Sequence, residues 1–468
     1  MSILSLSLLS ITFVAIYFAL LLYPHKHDGR TPIINGYGAF FITLSINIVF
    51  PATLSIAFQK GFLYWAQPYS YSTYINDALL ITILSILSFC LGFLAIRRAT
   101  VSGARKTTRT TAPQSAESTP ISPGAVSILW AIVGIGLLLK LWALTQIGIG
   151  PELIARMSGS IRRGMTLTGQ EGSLTHYIVL LSTISEAAAA LLFTVSLRHR
   201  RRVLLTVIIA LACMAMTFIL SGKRSTFILP LILMICSYSA LRRPLTISAL
   251  PLIILGIISF GMATLLFRII APQNAIGNVL DYRTIGNGSL TEFYLYSMEF
   301  SGFDMLVRSI AQSEQISDIL GGRANAIYSA FFEPFLYVVP RGLWADKPEL
   351  FIDISHGFYA ATVGGGLTGS VGLSATLIGY AYLLGGPFGV AFSFACLGVL
   401  SSWIDRYNSA TIGHLLIRSI GIVLVFTMFR QGSLGWVFLI FVQNMAPAIA
   451  VWTMFTLANK RARIRHTI

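Results

Sequence analysis

VLLTVIIALACMAMTFILSGKRSTFILPLILMICSYSALRR, residues 203–243, decides the architecture. Two apolar runs, 203–220 and 225–241, are separated only by a short turn carrying Lys223 and Arg224, and Arg242 and Arg243 close the second. At 1.5 Å per residue an 18-residue helix is roughly 27 Å long, close to the ~30 Å hydrocarbon core of a bilayer. The stretch therefore reads as a helical hairpin crossing a membrane twice. The same pattern recurs outward in both directions. Spans are expected near 2–23, 33–58, 78–96, 125–144, 178–197, 203–220, 225–241, 245–267, 387–404, 412–429 and 436–457, with a half-helix at 374–384. The fold class is thus an all-α, polytopic bundle of about eleven spans.

Composition agrees. The 468 residues are 55% hydrophobic and 11% charged, with mean hydropathy +0.77, whereas soluble domains carry about 25% charged residues. The four cysteines, Cys90, Cys213, Cys236 and Cys396, all fall inside apolar runs, so neither a disulfide framework nor a metal-ligand spacing is visible. The first run has no positively charged lead and no small-residue cleavage site, and is read as a retained span.

Charge sets the orientation. Nineteen of the 33 Lys and Arg residues fall in one set of inter-span segments or, for Arg418, in the first two turns of the span that follows. They lie around Lys26, Arg97, Arg198, Arg242, Arg406 with Arg418, and the Lys460–Arg465 tail, against the three acids Asp28, Glu117 and Asp405. The opposite set is nearly neutral. An excess of cations marks the cytoplasmic side, so the formal net charge of +16 reflects topology and implies no nucleic-acid partner. Three regions follow: 1–267 with about eight spans and a cytoplasmic loop near 97–124, a large outer segment 268–372, and 373–468 with the last spans and a basic tail.

Several cations nevertheless sit on the outer side, at the mouths of spans (Lys140, Lys223, Arg224, Arg268, Arg430) or in the outer segments (Arg308, Arg323, Arg341, Lys347). Long side chains can snorkel to headgroups; alternatively the cations form a collective anion site, since guanidinium grips phosphate as a planar fork. In "LSGKRSTFILP" (220–230), Ser225 and Thr226 open a helix whose N-terminus would favour an anion, although Thr217 breaks the spacing of a nucleotide-binding phosphate loop. "FRQGSLGW" (429–436) puts Arg430 at the outer end of a span. Residues 292–311 space Phe293, Tyr296, Phe300, Phe303, Val307 and Ile310 as one helical face. This fits a helix lying on the bilayer, or one that offers Glu299 to a cavity as a base. Glu186, inside a span, is a second candidate acid or the structural partner of a cation. "VGGGLTGSVGLSATLIGYAY" (363–382) is glycine-rich, and His356 is a possible proton carrier. The absence of Asp-x-Asp and His-Glu-x-x-His patterns leaves no clustered carboxylates to hold a divalent cation, and no metal or other cofactor is expected.

The stretch "VVPRGLWADKPELF" (338–351) is the sharpest polar cluster. Two prolines exclude a regular helix through Arg341, Trp344, Asp346 and Lys347. "PRGLWADKPE", followed by a Gly/Ser-rich stretch and "TLIGYAYLLGGPFG" (376–389), with the "SGKRST" turn earlier, resembles the bacterial O-antigen (oligosaccharide repeat-unit) polymerases of the Wzy type. Where some relatives in that family carry Glu after the Gly, this chain has Tyr380, so no acid is carried over there.

The resemblance implies an inner-membrane glycosyltransferase of GT-C-like fold working on the periplasmic face. Its substrates would be glycans on polyprenyl pyrophosphate, and its surroundings membrane lipid and a possible chain-length regulator. A pyrophosphate leaving group calls for cations where charge develops. Lys223, Arg224, Arg268, Lys347 and Arg430 are expected to bind it, with Arg341 catalytic, Trp344 stacking on sugar, and Glu299, Asp346 or His356 as the acid/base. An O-antigen ligase, or a lipid-linked oligosaccharide flippase, are the competing expectations. The flippase would be expected to show internal repeats and a polar pathway at mid-membrane.

Overall fold

The structure is a computed structural model. It describes residues 3–22, 35–58, 71–104, 121–147, 183–221, 228–243, 245, 302–332, 357–358, 360–361, 375–407, 411–432, 437–438 and 441–467. Every regular element among them is helical. Helix α1 is Ile3–Leu22; α2 (Gly36–Leu44) continues through a π-helical turn, Ser45–Val49, into α3 (Phe50–Phe58). Then come α4 (Tyr71–Ala104), α5 (Pro123–Ile147), α6 (Ile184–His199), α7 (Val203–Ser221) and α8 (Ile228–Leu241). After them follow α9 (Gly302–Ala311), α10 (Ser313–Ile319), α11 (Arg323–Phe331), α12 (Thr376–Ile404), α13 (Ile412–Gln431) and α14 (Ala446–Thr467).

Among the described residues, six segments are long and apolar enough to cross a membrane: Gly36–Ala57, Thr73–Arg97, Pro123–Thr145, Val203–Leu220, Thr376–Ile404 and Ile412–Gln431. Leu4–Ala19 and Ile228–Leu241 are shorter apolar helices. The span expected at 245–267 lies outside the described residues. The half-helix expected at 374–384 and the span expected at 387–404 are the two halves of α12. They meet at Gly385 (φ −147°, ψ 19°) and Gly386 (φ 58°, ψ −149°), just before Pro387. The left-handed φ of Gly386 suits a residue without Cβ, and Pro387 cannot supply an N–H to the first half.

The packing centre is α4 against α12. A Cβ at Gly92 would overlap the carbonyl of Ala395, and one at Gly398 would overlap the carbonyl of Phe89. Small residues bring backbones this close where lipid supplies no hydrophobic drive between helices, so that dispersion across the contact must hold it. Phe89 and Phe40 stack at 3.7 Å between ring centroids, with Phe394 and Phe429 edge-on to Phe40. A second core surrounds α6, where Ala187–Ala190 are buried and α5, α7, α8, α13 and α14 pack round it.

Helix α9 corrects an expectation. The apolar face read at 292–311 suggested a helix lying on the bilayer. In its described part, every residue from Gly302 to Ile310 is buried, and α9 packs on α3, α4 and α12. Its berth is made by the π turn: a Cβ at Gly302 would overlap the carbonyl of Asn47, whose side chain donates to the Thr43 carbonyl at 2.9 Å.

Helix ends that the charge count put on one side meet in the structure. Gly36 lies beside Asp405, and the Ser122 N–H donates to Asn459 Oδ1 at 2.7 Å. At the opposite ends of their helices, Ser5 Oγ donates to Asn76 Oδ1 at 2.8 Å.

Gly398→Val should abolish accumulation of folded protein in the membrane, because its side chain meets backbone. Gly134→Val, at a position where a Cβ meets nothing within 4 Å, should leave it unchanged. Quantitative immunoblotting of membranes, with size-exclusion profiles in detergent, reads both.

Candidate functional site

The described structure brings together three polar stretches at the first turn of α12. Helix α13 ends in Arg430 and Gln431, and Gly432 closes it with a left-handed φ of 69° and an N–H donated to the Met428 carbonyl at 3.0 Å. A Cβ on Gly432 would stand 2.5 Å from the Thr376 carbonyl oxygen and 3.0 Å from Tyr380 Cβ. Only glycine, in that conformation, lets the end of α13 touch the start of α12. From the other side α9 brings Ser309 against Gly379. The end of α13 through Gly432 and the start of the helix "TLIGYAYLLGGPFG" are thus neighbours, with α9 on the other side.

Helix α9 contributes charge. Asp304 Oδ2 accepts from Arg308 Nε at 3.1 Å, one helical turn apart, and both side chains are buried. Gln312, just beyond the helix, donates through Nε2 to the Ala361 carbonyl at 3.1 Å. Met305, Phe358, Ala361, Ala375 and Tyr380 form the apolar packing around these groups. Burying a charged pair is tolerated when each member has a partner, and strongly penalised when one is removed. Asp304 and Arg308 neutralise each other in the interior, so the positive charge at this end of α13 is that of Arg430.

Of the residues expected to form the site, Arg430 is described, in the last turn of α13 two residues before Gly432. Arg341, Glu299, Asp346, His356, Lys223, Arg224, Arg268, Trp344 and Lys347 lie outside the described residues. The Asp304–Arg308 pair corrects an expectation, since Arg308, read from sequence as one of the outer cations, is buried against Asp304. Its signal, an acid and a base four apart, is that of any solvent-facing helix pair, and only packing shows it to be buried.

Lys140 is likewise corrected. Expected at the outer mouth of a span, it is fully buried, and its ammonium donates to Glu186 Oε1 at 2.8 Å, to Ser185 Oγ at 2.8 Å and to the Cys213 carbonyl at 3.2 Å. The Thr217 hydroxyl donates to the same carboxylate oxygen. Glu186 is therefore the partner of a cation, and α5, α6 and α7 are tied through one ammonium. Three acceptors match the three donors of Lys.

At the other end of the bundle Asp405, the C-cap of α12, accepts at 2.7 Å from the N–H of Gly36, the first residue of α2. Beside it Asn35 caps α2 by accepting from the Gly38 N–H at 2.6 Å. Burial pushes the Asp405 carboxyl up to about 6, against the lowering effects of the Gly36 bond and of Arg418.

Residues 153–461, more than half of the chain, match the family model described as a domain of unknown function (DUF8712). The chain belongs to that family. No curated protein and no solved structure matches it.

Two measurements test these contacts. Lys140→Met should destabilise the detergent-solubilised protein by about 3–5 kcal/mol, the cost of stranding a buried charge, and the Lys140→Met/Glu186→Gln double variant should recover most of it in a melting-temperature cycle. For Asp405, the folded carboxyl keeps its proton up to about pH 6, while an unfolded one releases it near its ordinary value of 3.8. The folded state binds more protons in that window, so this group's contribution is full below 3.8 and is lost as pH rises through about 6. Asp405→Asn keeps an oxygen for the Gly36 N–H and does not ionise, so its melting temperature should lose that slope.

Proposed function

We propose that the chain is an inner-membrane glycosyltransferase that polymerises oligosaccharide repeat units carried on polyprenyl pyrophosphate. One structural observation supports the reading most. The C-terminal part of the sequence resemblance, residues 376–389, starts against Gly432, two residues beyond Arg430, a cation singled out for pyrophosphate. The helical bundle with its apolar spans is the setting that lipid-linked substrates require.

In the proposed reaction an acceptor hydroxyl oxygen forms a bond to the donor's anomeric carbon. The bond from that carbon to the pyrophosphate oxygen breaks, and its electron pair leaves with the polyprenyl pyrophosphate. The hydroxyl proton passes to Glu299, Asp346 or His356. Arg341, Arg224, Arg268, Lys223, Lys347 and Arg430 stabilise the charge that develops on the leaving group, and Trp344 stacks on a sugar face. No metal is needed where cationic side chains do this work.

A second reading, carriage of the lipid-linked glycan across the membrane, draws on the Lys140–Glu186 pair, since ionisable groups at depth often mark transport paths. The sealing of that pair by Ser185, Thr217 and Cys213 favours a structural role and hence the enzyme.

Arg341→Ala and Arg224→Ala should remove long-chain glycan ladders and leave single repeats on the acceptor, with protein accumulation unchanged. Arg341→Lys should be impaired as well if the contact is bidentate. Purified protein with a defined lipid-linked repeat should form polymer with and without chelator. Normal ladders in both alanine variants would reject the pyrophosphate assignment, and complete loss of repeats from the acceptor would indicate a ligase.

A further inference from the structure

Helices α10 and α11 follow each other directly, yet they present opposite chemistry outward. Helix α10 buries Ile316 and exposes Glu314, Gln315 and Asp318, the ordinary surface of a helix in water. The chain then turns through Gly321 (φ 75°) and Gly322 (φ 103°), with the Gly321 N–H donating to the Asp318 carbonyl at 3.0 Å and that of Gly322 to the Ser317 carbonyl at 2.8 Å. Both dihedrals lie where glycine is preferred. Beyond the turn α11 buries the small residues Ala326 and Ala330 and turns its large apolar residues out. Ile327, Tyr328, Phe331 and Phe332 are 43%, 54%, 49% and 59% exposed. The rings of Tyr328 and Phe332 stack at 5.3 Å and form one continuous apolar surface.

Two observations fix where this surface lies. Ala326 and Ala330 pack in one cluster with Ala375, Tyr380 and Leu383, from the start of the spanning helix α12. Arg323, the first residue of α11, is within electrostatic reach of Tyr382, which also feels Asp77. Tyr382 is in the second turn of α12, and Asp77 is in the first residues of the span Thr73–Arg97. Helix α11 is therefore level with the ends of two spans, the depth at which a bilayer passes from acyl chains to headgroups. Tyr and Arg are at home at that depth with a Phe and Ile face below them. In water the same face would be an apolar patch without a cover.

We propose that α11 is an interfacial membrane anchor: it lies along the bilayer surface, with Ile327, Tyr328, Phe331 and Phe332 set among the lipids and Ala326 and Ala330 against α12. The partner is lipid, and α10 is the water-facing arm of the same turn. The anchor holds the chain between α9 and α12 down at the mouth where Arg430 and the start of α12 meet. It does not depend on what reaction takes place there.

Photo-crosslinking in native membranes tests the anchor. With p-benzoylphenylalanine replacing Tyr328 or Phe332, irradiation should give phospholipid adducts detectable by mass spectrometry. The same probe replacing Asp318 should give none. In parallel, Ile327→Cys should lose reaction with a membrane-impermeant maleimide, over the wild-type background of its four native cysteines, while Asp318→Cys reacts fully. Crosslinks from 328 and 332 to protein, whether a second copy of this chain or another, would overturn the lipid assignment. So would labelling of Ile327→Cys as fast as Asp318→Cys. Failure of the glycan assays above would leave this result untouched, and the reverse also holds.

Discussion

The contact between α4 and α12 is the constraint on which the described structure rests. It is a backbone-to-backbone contact, made possible by Gly92 on one helix and Gly398 on the other. In a bilayer, side chains leave lipid for protein without any gain from water release, so closeness of approach itself supplies the stabilisation. The stacked Phe40 and Phe89, with Phe394 and Phe429 edge-on, extend that contact to α2 and α13. Once α4 and α12 are fixed, the notch for α9 is fixed too. Its floor is α4 and α12, and its end wall is the π turn at Asn47, where Gly302 enters. The start of α12, where Arg430 and Gly432 arrive, thereby inherits its position from a contact several turns away.

Charge is handled by the same economy of partners. Lys140 meets a carboxylate, a hydroxyl and a carbonyl, so all three of its donors are used. Asp304 and Arg308 satisfy each other within one helix, and Asp405 spends an oxygen on the N-terminus of α2. The three devices do different jobs. The first ties three helices across the bundle. The second lets an amphipathic helix be buried on all sides. The third joins two helix ends at the membrane edge, where the α2 N-terminus favours an anion.

How much was legible in the sequence depended on whether the deciding partner was near in the chain. The break in α12 was readable because Gly385, Gly386 and Pro387 are consecutive and each acts on its own backbone. Arg430 could be put at a helix end because Gly432 stops the helix two residues later. Lys140 could not be read correctly, because its proximity to a span end is local information while Glu186 is 46 residues away. The stripe of Phe303, Val307 and Ile310 was seen, but a three-and-four spacing is the same whether a helix faces lipid or a protein notch. Arg308 reads from sequence as an outer-side cation, and its burial against Asp304, one turn away, follows only from the packing of α9. Arg341, Trp344 and Lys347, which lie outside the described residues, are legible by residue type and by the resemblance of the stretch that holds them.

The burial of α9 and the exposure of α11 are two sides of one arrangement. A chain segment between spans that carries two apolar helices has two ways to shield them, protein and lipid. The notch between α3, α4 and α12 is filled by α9, which Gly302 admits because a Cβ there would strike the Asn47 carbonyl. Toward α12, helix α11 buries Ala326 and Ala330, side chains too small to cover its outer face. Its larger residues must then find their apolar medium on the far side. That medium is available at the depth of the first turns of α12, against which Ala326 and Ala330 pack. The glycine pair at 321–322 marks the boundary between the two media, because the helix before it shows carboxylates to water and the helix after it shows rings.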